Sequence, residues 1–208
     1  MIETETDTEI RKGDRAAGIA LTGAAGLSVL AMMHHPTSFN AGALIGIVHG
    51  AMILFIGMMG YGFTHVARVR GLDRPAVLAG LVAYGIGAAA SLGAAMINGF
   101  AAPALAGDGA SHEALDILWA LNQALAKIGV VAIGAAYVLW SLDLWRRWKL
   151  VALLGLLAGG VPAVLLIGGW IGMHLHAALF VYAGQLAWAA LVGWLLLSGR
   201  LRHGAGEG

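Results

Sequence analysis

Long stretches without a charged residue alternate with short polar ones along the chain, and this pattern predicts its elements. Asp, Glu, Lys and Arg are absent from residues 16–67, 75–107 and 150–199. A transmembrane helix needs about 20 consecutive apolar residues, so each stretch is long enough to cross a bilayer. Together with the apolar stretch after residue 111, they predict six helices, at residues 16–35, 41–66, 75–98, 112–142, 149–170 and 173–198.

The predicted fold class is an all-α, polytopic membrane protein with six transmembrane helices. Backbone groups in lipid must form their hydrogen bonds within the protein, and the alternating pattern of a membrane-spanning barrel is missing from the sequence. Only 11% of the residues are charged and the mean hydropathy is +0.82, whereas about a quarter of a soluble domain is charged. The expected organisation is a tail at 1–15, a transmembrane bundle at 16–198 and a second tail at 199–208.

The basic residues predict the direction of the bundle. Eleven of the twelve lie on one side of it: Arg11, Lys12, Arg15, Arg68, Arg70, Arg74, Arg146, Arg147, Lys149, Arg200 and Arg202. Loops rich in Lys and Arg stay in the cytoplasm, so both termini are predicted to be cytoplasmic, in a bacterial-type inner (plasma) membrane. No convincing signal-peptide cleavage site follows the first apolar stretch, and we expect it to remain as the first membrane helix.

Histidines concentrate at the opposite, outer end. Six of the eight are predicted there: His34, His35, His49, His112, His174 and His176. His49 lies about 12 Å below the surface at 1.5 Å per residue, which is too deep for the lipid headgroups. The phrases MMHH at 32–35 and MHLH at 173–176 are therefore predicted to form two walls of one site, with His49 beneath them. His49 is expected within about 8 Å of His174 or His176.

This donor set predicts a transition-metal site. Imidazole binds zinc, copper, iron and nickel, thioether adds a preference for copper(I), and the chain has no cysteine to supply thiolate. The predicted ion is therefore copper or zinc. Its candidate ligands are His34, His35, His49, His174, His176 and Asp116.

A polar stripe on the fourth predicted helix supplies a candidate pathway. Glu113, Asp116, Gln123 and Lys127 are spaced so that they share one helical face, and Gln185 lies at comparable depth on the sixth helix. A lysine near the middle of a bilayer costs about 2.5–3.5 kcal/mol even on lenient scales. We therefore expect Lys127 to face the interior of the bundle.

Glycine and proline suggest two further features of the bundle. Gly42, Gly46 and Gly50 are four residues apart on the second helix, a spacing that lets helices approach closely, either within the chain or in a homodimer. Pro162, after Gly159 and Gly160, is expected to interrupt the fifth helix near the middle of the bilayer. Interrupted helices mark binding sites in many transporters, although a packing kink explains the pattern equally well.

Four functions remain open at this stage. The first is a membrane protein that handles, transports or uses a transition metal. The second is electron transfer through haem b held by His49 and His174 or His176. The third is a proton-coupled carrier of a small anion with Lys127 as its counter-charge, and the fourth is an accessory subunit without a site. No nucleotide-binding glycine loop, zinc-protease motif or nucleophile elbow occurs, no surface for nucleic acid is predicted, and catalysis is left undecided.

Overall fold

The computed structural model describes residues 2–36 and 42–202, and only the backbone of residues 2–10, 175 and 176. Within these ranges the chain forms helices and turns and no strand. The helices are α1 Ile2–Met33, α2 Ala43–Arg70, α3 Pro75–Met96, α4 Ala102–Gly107, α5 His112–Leu144, α6 Lys149–Ile167 and α7 Leu175–Leu197. Residues Ile97–Ala101 form a π-helical segment that joins α3 to α4.

Six helical stretches are long and apolar enough to cross a membrane. They are Arg11–Met33, Ala43–Arg70, Pro75–Gly107, His112–Leu144, Lys149–Ile167 and Ala177–Leu197. The prediction of an all-helical, multi-pass membrane protein is confirmed to this extent. The spans occur in the predicted order, with α3, the π segment and α4 acting together as the third.

Two predicted boundaries differ from those of the structure by more than two helical turns. α1 begins at Ile2 instead of residue 16, so the described part of the N-terminal tail continues the helix. The third span continues to Gly107 instead of ending at 98. Pro103 has no N–H to donate, and the N–H of Ala102 bonds to the carbonyl of Ile97, five residues back. The helix therefore passes the proline by widening one turn instead of ending.

The helices pack as a closed ring in which each span packs mainly against two neighbours. α1 packs against α2 and α7, α3 against α2 and α5, and α6 against α5 and α7. Glycines allow the closest approaches: a Cβ added at Gly18 on α1 would lie 2.8 Å from the carbonyl oxygen of Gly193 on α7. Gly46 and Gly50 lie beside Phe100 of the same chain. That contact supports packing within the chain, and the homodimer through Gly42, Gly46 and Gly50 stays a prediction.

Pro162 does not interrupt α6, which continues from Lys149 to Ile167. α6 also contributes no residue to the central cavity described below. Pro162 is buried. The expectation that α6 is interrupted at this proline is therefore wrong.

We name the two ends of the ring after the residues that gather there. The arginine end contains Arg70, Arg74 and Arg202; the histidine end contains His34, His35 and the π segment. At the arginine end Arg70 Nε donates to Asp143 at 2.7 Å, and Arg74 donates to the other oxygen of the same carboxylate at 3.0 Å. This ion-pair group joins α2 and the residue before α3 to α5 at that end of the ring.

A second ion-pair group ties the first and last described segments of the chain together. Arg202 donates to Asp14 on α1, with Nη2 and Oδ1 2.8 Å apart, and His65 on α2 lies 2.7 Å from the same carboxylate oxygen. Asp14 is only 5% exposed. Buried carboxylates require such partners, because a lone charge in this position would be strongly unfavourable.

Candidate functional site

A cavity of about 410 Å³ lies inside the ring, lined by residues of α1, α2, α3, α5 and α7 together with the π segment. Its volume falls within the range of roughly 300–1,000 Å³ that is usual for small-molecule sites. Methionine, alanine, isoleucine and aromatic residues make up most of its wall. No Asp, Glu, Lys or Arg lines it within the described residues.

Toward the arginine end, stacked aromatic rings pack against Tyr84 and Tyr137 of the cavity wall. Phe63 lies 4.9 Å from the ring of Trp140, and Trp140 stacks with Trp188. All three are at most 3% exposed. The indole N–H of Trp140 donates to the carbonyl of Val77, and that of Trp188 to the carbonyl of Val151, so both rings are oriented by hydrogen bonds.

Two of the predicted histidines meet at the other end of the cavity. The rings of His35, just after α1, and His49, on α2, lie 4.9 Å apart between centroids and are inclined at 70°. His49 is 3% exposed. Burial lowers the pKa of the His35 imidazole below its usual range, and the neighbouring His49 lowers it further. His35 is therefore neutral at pH 7, the form in which imidazole binds a metal ion.

Hydrogen bonds determine which ring nitrogen of each histidine carries the proton. Nδ1 of His49 lies 2.8 Å from the carbonyl oxygen of Ile45, and Nδ1 of His35 lies 2.9 Å from that of Pro36. A carbonyl oxygen only accepts, so both Nδ1 atoms are protonated donors. In the neutral rings the lone pair is then on Nε2. This arrangement is typical of metal-binding histidines, whose other nitrogen is tethered to the protein.

Two methionines line the same cavity as the histidine pair. Met32 lies at the end of α1 and is 6% exposed, and Met173 precedes α7 and is 7% exposed. Met33, by contrast, is 70% exposed. The MMHH and MHLH phrases therefore share one cavity through Met32, His35 and Met173.

The π segment passes close behind His49. A Cβ added at Gly99 would lie 2.4 Å from Cβ of His49 and 2.9 Å from its Cγ, so only glycine fits there without movement. Asn98, the preceding residue, lines the cavity. A π-helical turn inside an α-helix is often found at functional sites. Here it places Asn98 in the cavity wall and brings the backbone at Gly99 close to the buried histidine.

Most of the other predicted site residues lie outside the cavity. His34, His174, Asp116 and Glu113 are exposed. The prediction that one site includes His34, His174 and Asp116 is therefore not supported by their positions, and the side chain of His176 lies outside the description. Within the described part of the chain, no group of three or more His, Cys, Asp or Glu side chains is placed to hold a metal ion.

The prediction that Lys127 faces the interior of the bundle is wrong. Lys127 is exposed on the outer surface of the ring, one turn beyond Gln123. Only Gln123 of the polar stripe lines the cavity, where its Nε2 donates to the carbonyl of Met173. Gln185 also lines the cavity, as its depth on the sixth predicted helix suggested. The inner face of α5 is marked instead by Asn122.

Sequence reasoning missed several polar residues of the cavity wall. They are Ser28, Ser91, Asn98, Asn122, Tyr84, Tyr137 and Tyr182. Asn122 could have been identified from the sequence, because an asparagine in an apolar helix needs a hydrogen-bonding partner inside the protein. Its neighbour Ala126 is small and buried, and small residues of this kind identify the packed face of a membrane helix.

No protein-family model matches the chain, and no curated protein or solved structure is significantly similar to it.

Proposed function

We propose that this chain is a multi-pass protein of a bacterial-type plasma membrane, with both termini cytoplasmic, that binds a copper(I)-like ion at its outer end. The ligands would be Nε2 of His35 and Nε2 of His49, with thioether sulfur from Met32 or Met173. The contact between the two histidine rings carries this proposal, because both rings are tethered through Nδ1 and both residues line one cavity.

The donor set favours copper(I) over zinc. Structural zinc sites use four ligands, almost always from Cys, His, Asp and Glu, and among the described side chains His35 and His49 are the two of these types that line the cavity. Thioether sulfur is a soft ligand that selects copper(I). A site built from two imidazoles and methionine is therefore matched to copper(I) and poorly matched to zinc.

The alternatives receive less support from the geometry. Haem held between two histidines requires a macrocycle between their rings, and His35 and His49 are in direct contact. An anion carrier needs a counter-charge in its cavity, and Lys127 lies outside. The stacked aromatic rings next to the cavity favour capture of the ion from the histidine end, since passage to the other side would require Phe63 and its neighbours to separate.

Anaerobic copper(I) titration of the purified protein against bicinchoninate tests the proposal. We expect one tightly bound ion per chain, and much weaker binding of zinc. His35→Ala and His49→Ala should each weaken copper binding by more than tenfold, since even residues that only orient metal ligands contribute about 10–100-fold. Met32→Leu combined with Met173→Leu should also weaken it.

His34→Ala is the matched control for this titration. His34 is adjacent in sequence and its Nδ1 also bonds a backbone carbonyl, that of Leu30 at 2.9 Å, but its side chain is exposed outside the cavity. The variant should bind copper as the wild type does. Retention of stoichiometric copper by a folded His35→Ala/His49→Ala double variant, or no binding by the wild type, would exclude this site and leave the accessory-subunit hypothesis.

A further inference from the structure

The inner part of the cavity, beyond the histidine pair, contains a second group of polar side chains. Asn122 and Gln185 lie at matching positions, each ten residues after the first residue of its helix, α5 or α7. At 1.5 Å per residue this is about 15 Å along each helix axis. We call this part of the cavity, with Ser91, Tyr84 and Tyr137, the amide chamber.

The two amides have hydrogen-bonding capacity that the protein does not use. Nδ2 of Asn122 donates to the carbonyl of Ala94 at 2.8 Å, and Nε2 of Gln185 donates to that of Val130 at 3.3 Å. The side chains are 5% and 3% exposed. Neither amide oxygen accepts a hydrogen bond from any described residue. Each residue lines the cavity, and each amide oxygen retains its capacity to accept, so both oxygens are suited to accept from a ligand.

Ser91 contributes a hydroxyl at the contact between α3 and α5. Its Oγ is buried and has no hydrogen-bond partner among the described residues, although the residue lines the cavity. A Cβ added at Gly129 would lie 2.4 Å from this oxygen, so the hydroxyl faces α5 and the glycine leaves room for it.

The remainder of the chamber restricts the chemistry of a ligand. No charged side chain lines the cavity within the described residues, so a charged organic ligand, unlike a metal ion coordinated by imidazole and thioether, would have no partner for its charge. The tyrosine hydroxyls of Tyr84 and Tyr137 add groups that both donate and accept. Methionine, alanine and isoleucine side chains supply the apolar wall. A ligand with an apolar body and a hydroxyl group satisfies all three features.

We propose that the amide chamber binds an uncharged phenol or alcohol with an apolar body. The hydroxyl group donates to the amide oxygen of Asn122 or Gln185, and the apolar body packs against the methionine and aromatic side chains of the wall. This site is separate from the proposed copper site, because none of its residues is a copper ligand. The two proposals therefore stand or fall independently.

The test compares three probes that differ in one group. They are 4-hexylphenol, its methyl ether 4-hexylanisole, and 4-hexylbenzoate at pH 8, each measured by equilibrium dialysis against metal-free protein in lipid nanodiscs, with protein-free nanodiscs as the blank. The phenol should bind saturably and about tenfold more tightly than the ether, which cannot donate. The benzoate, which is charged, should not bind saturably.

Variants test whether the hydroxyl group of the phenol binds to the amides of Asn122 and Gln185. Asn122→Leu combined with Gln185→Met should bind phenol and ether equally well, and retained binding of the ether shows that the chamber is intact. Thr64→Val is the control, since the Thr64 hydroxyl bonds the carbonyl of Gly60 outside the cavity. It should keep the preference for the phenol, as should the His35→Ala/His49→Ala variant.

Three outcomes would overturn the proposal. Equal binding of phenol and ether by the wild type would show an apolar cavity that any lipid-like chain can fill. A preference that survives in the amide double variant but is lost in the histidine double variant would place the hydroxyl at the histidines. Absence of saturable phenol binding by the wild type would exclude the site outright.

Discussion

His49 is held from three directions, and this distinguishes it from the other histidines of the outer end. Its Nδ1 bonds the carbonyl of Ile45, its ring meets His35, and its Cβ lies against the π segment at Gly99. The bond to a carbonyl four residues back is not special by itself, because exposed His34 forms one with Leu30. His49 differs from His34 because it is buried and its ring contacts a second imidazole.

Gly99→Ala should disturb this arrangement directly. The added Cβ would lie 2.4 Å from Cβ of His49, and neither atom belongs to a flexible side-chain end. Overpacking of this kind costs about 1–3 kcal/mol of folding free energy. We expect a lower melting temperature and weaker copper(I) binding, measured by differential scanning fluorimetry and by the bicinchoninate titration.

Gly85→Ala is the control for that substitution. Gly85 is on the same span, in α3, and a Cβ added there meets nothing within 4 Å. This variant should be as stable as the wild type or more so, because alanine favours helix over glycine by about 0.8–1.0 kcal/mol. If Gly99→Ala matches Gly85→Ala in both stability and copper affinity, the close approach does not position His49.

Lys127 shows why the charges of α5 misidentify its inner face. Glu113, Asp116 and Lys127 are exposed, whereas Asn122 and Ala126 are buried. In a soluble helix the polar stripe marks the outside, and in a membrane helix we expected it to mark the inside. The apolar residues do not distinguish the two faces of the helix, because both the lipid and the protein interior accommodate apolar side chains. Small residues and a lone asparagine are the better guide to packing in lipid.

At the scale of helices, close approaches between backbones determine which spans are neighbours. Gly134 on α5 and Gly159 on α6 face each other so closely that a Cβ on either would lie within 2.5 Å of the other's carbonyl oxygen. The sequence around Gly159 suggested a role for Pro162, but Gly159 is the residue that makes the close contact between α5 and α6. The sequence shows where the glycines are, but only the structure shows which helix each glycine packs against.

Gly159→Ala should therefore separate α5 from α6. The new Cβ would lie 2.4 Å from the Gly134 oxygen and 2.9 Å from Cβ of Tyr137, and backbone atoms cannot move aside as a flexible side chain does. A melting temperature clearly below that of the wild type is expected in scanning fluorimetry. Gly160→Ala is the matched control, since its nearest neighbour would be Cγ2 of Val138 at 3.7 Å. Equal stability of the two variants would contradict this contact.

For the molecule as a whole, hydropathy predicted the spans but not their arrangement. The number and order of the spans were predictable, because about 20 apolar residues are needed to cross a bilayer. The ring order was not, since hydropathy says nothing about which helices touch. Met32, His35 and Met173 line one cavity, whereas His174 and Asp116, assigned to the same site from their depth, are exposed and do not line it.

The orientation of the ring in the membrane is the last prediction, and the compartment of the proposed copper site depends on it. Reporter fusions after Gly71 and after Arg147 should report the cytoplasm, and a fusion after Asp108 should report the outer side. Part of the positive charge is paired in the folded protein, as Arg70 is with Asp143. The orientation depends on the number of Lys and Arg residues next to the spans and not on net charge, so ion pairing should not change it. Activity of a phosphatase fused after Gly71 would show that the bundle has the opposite orientation, with the histidine end facing the cytoplasm.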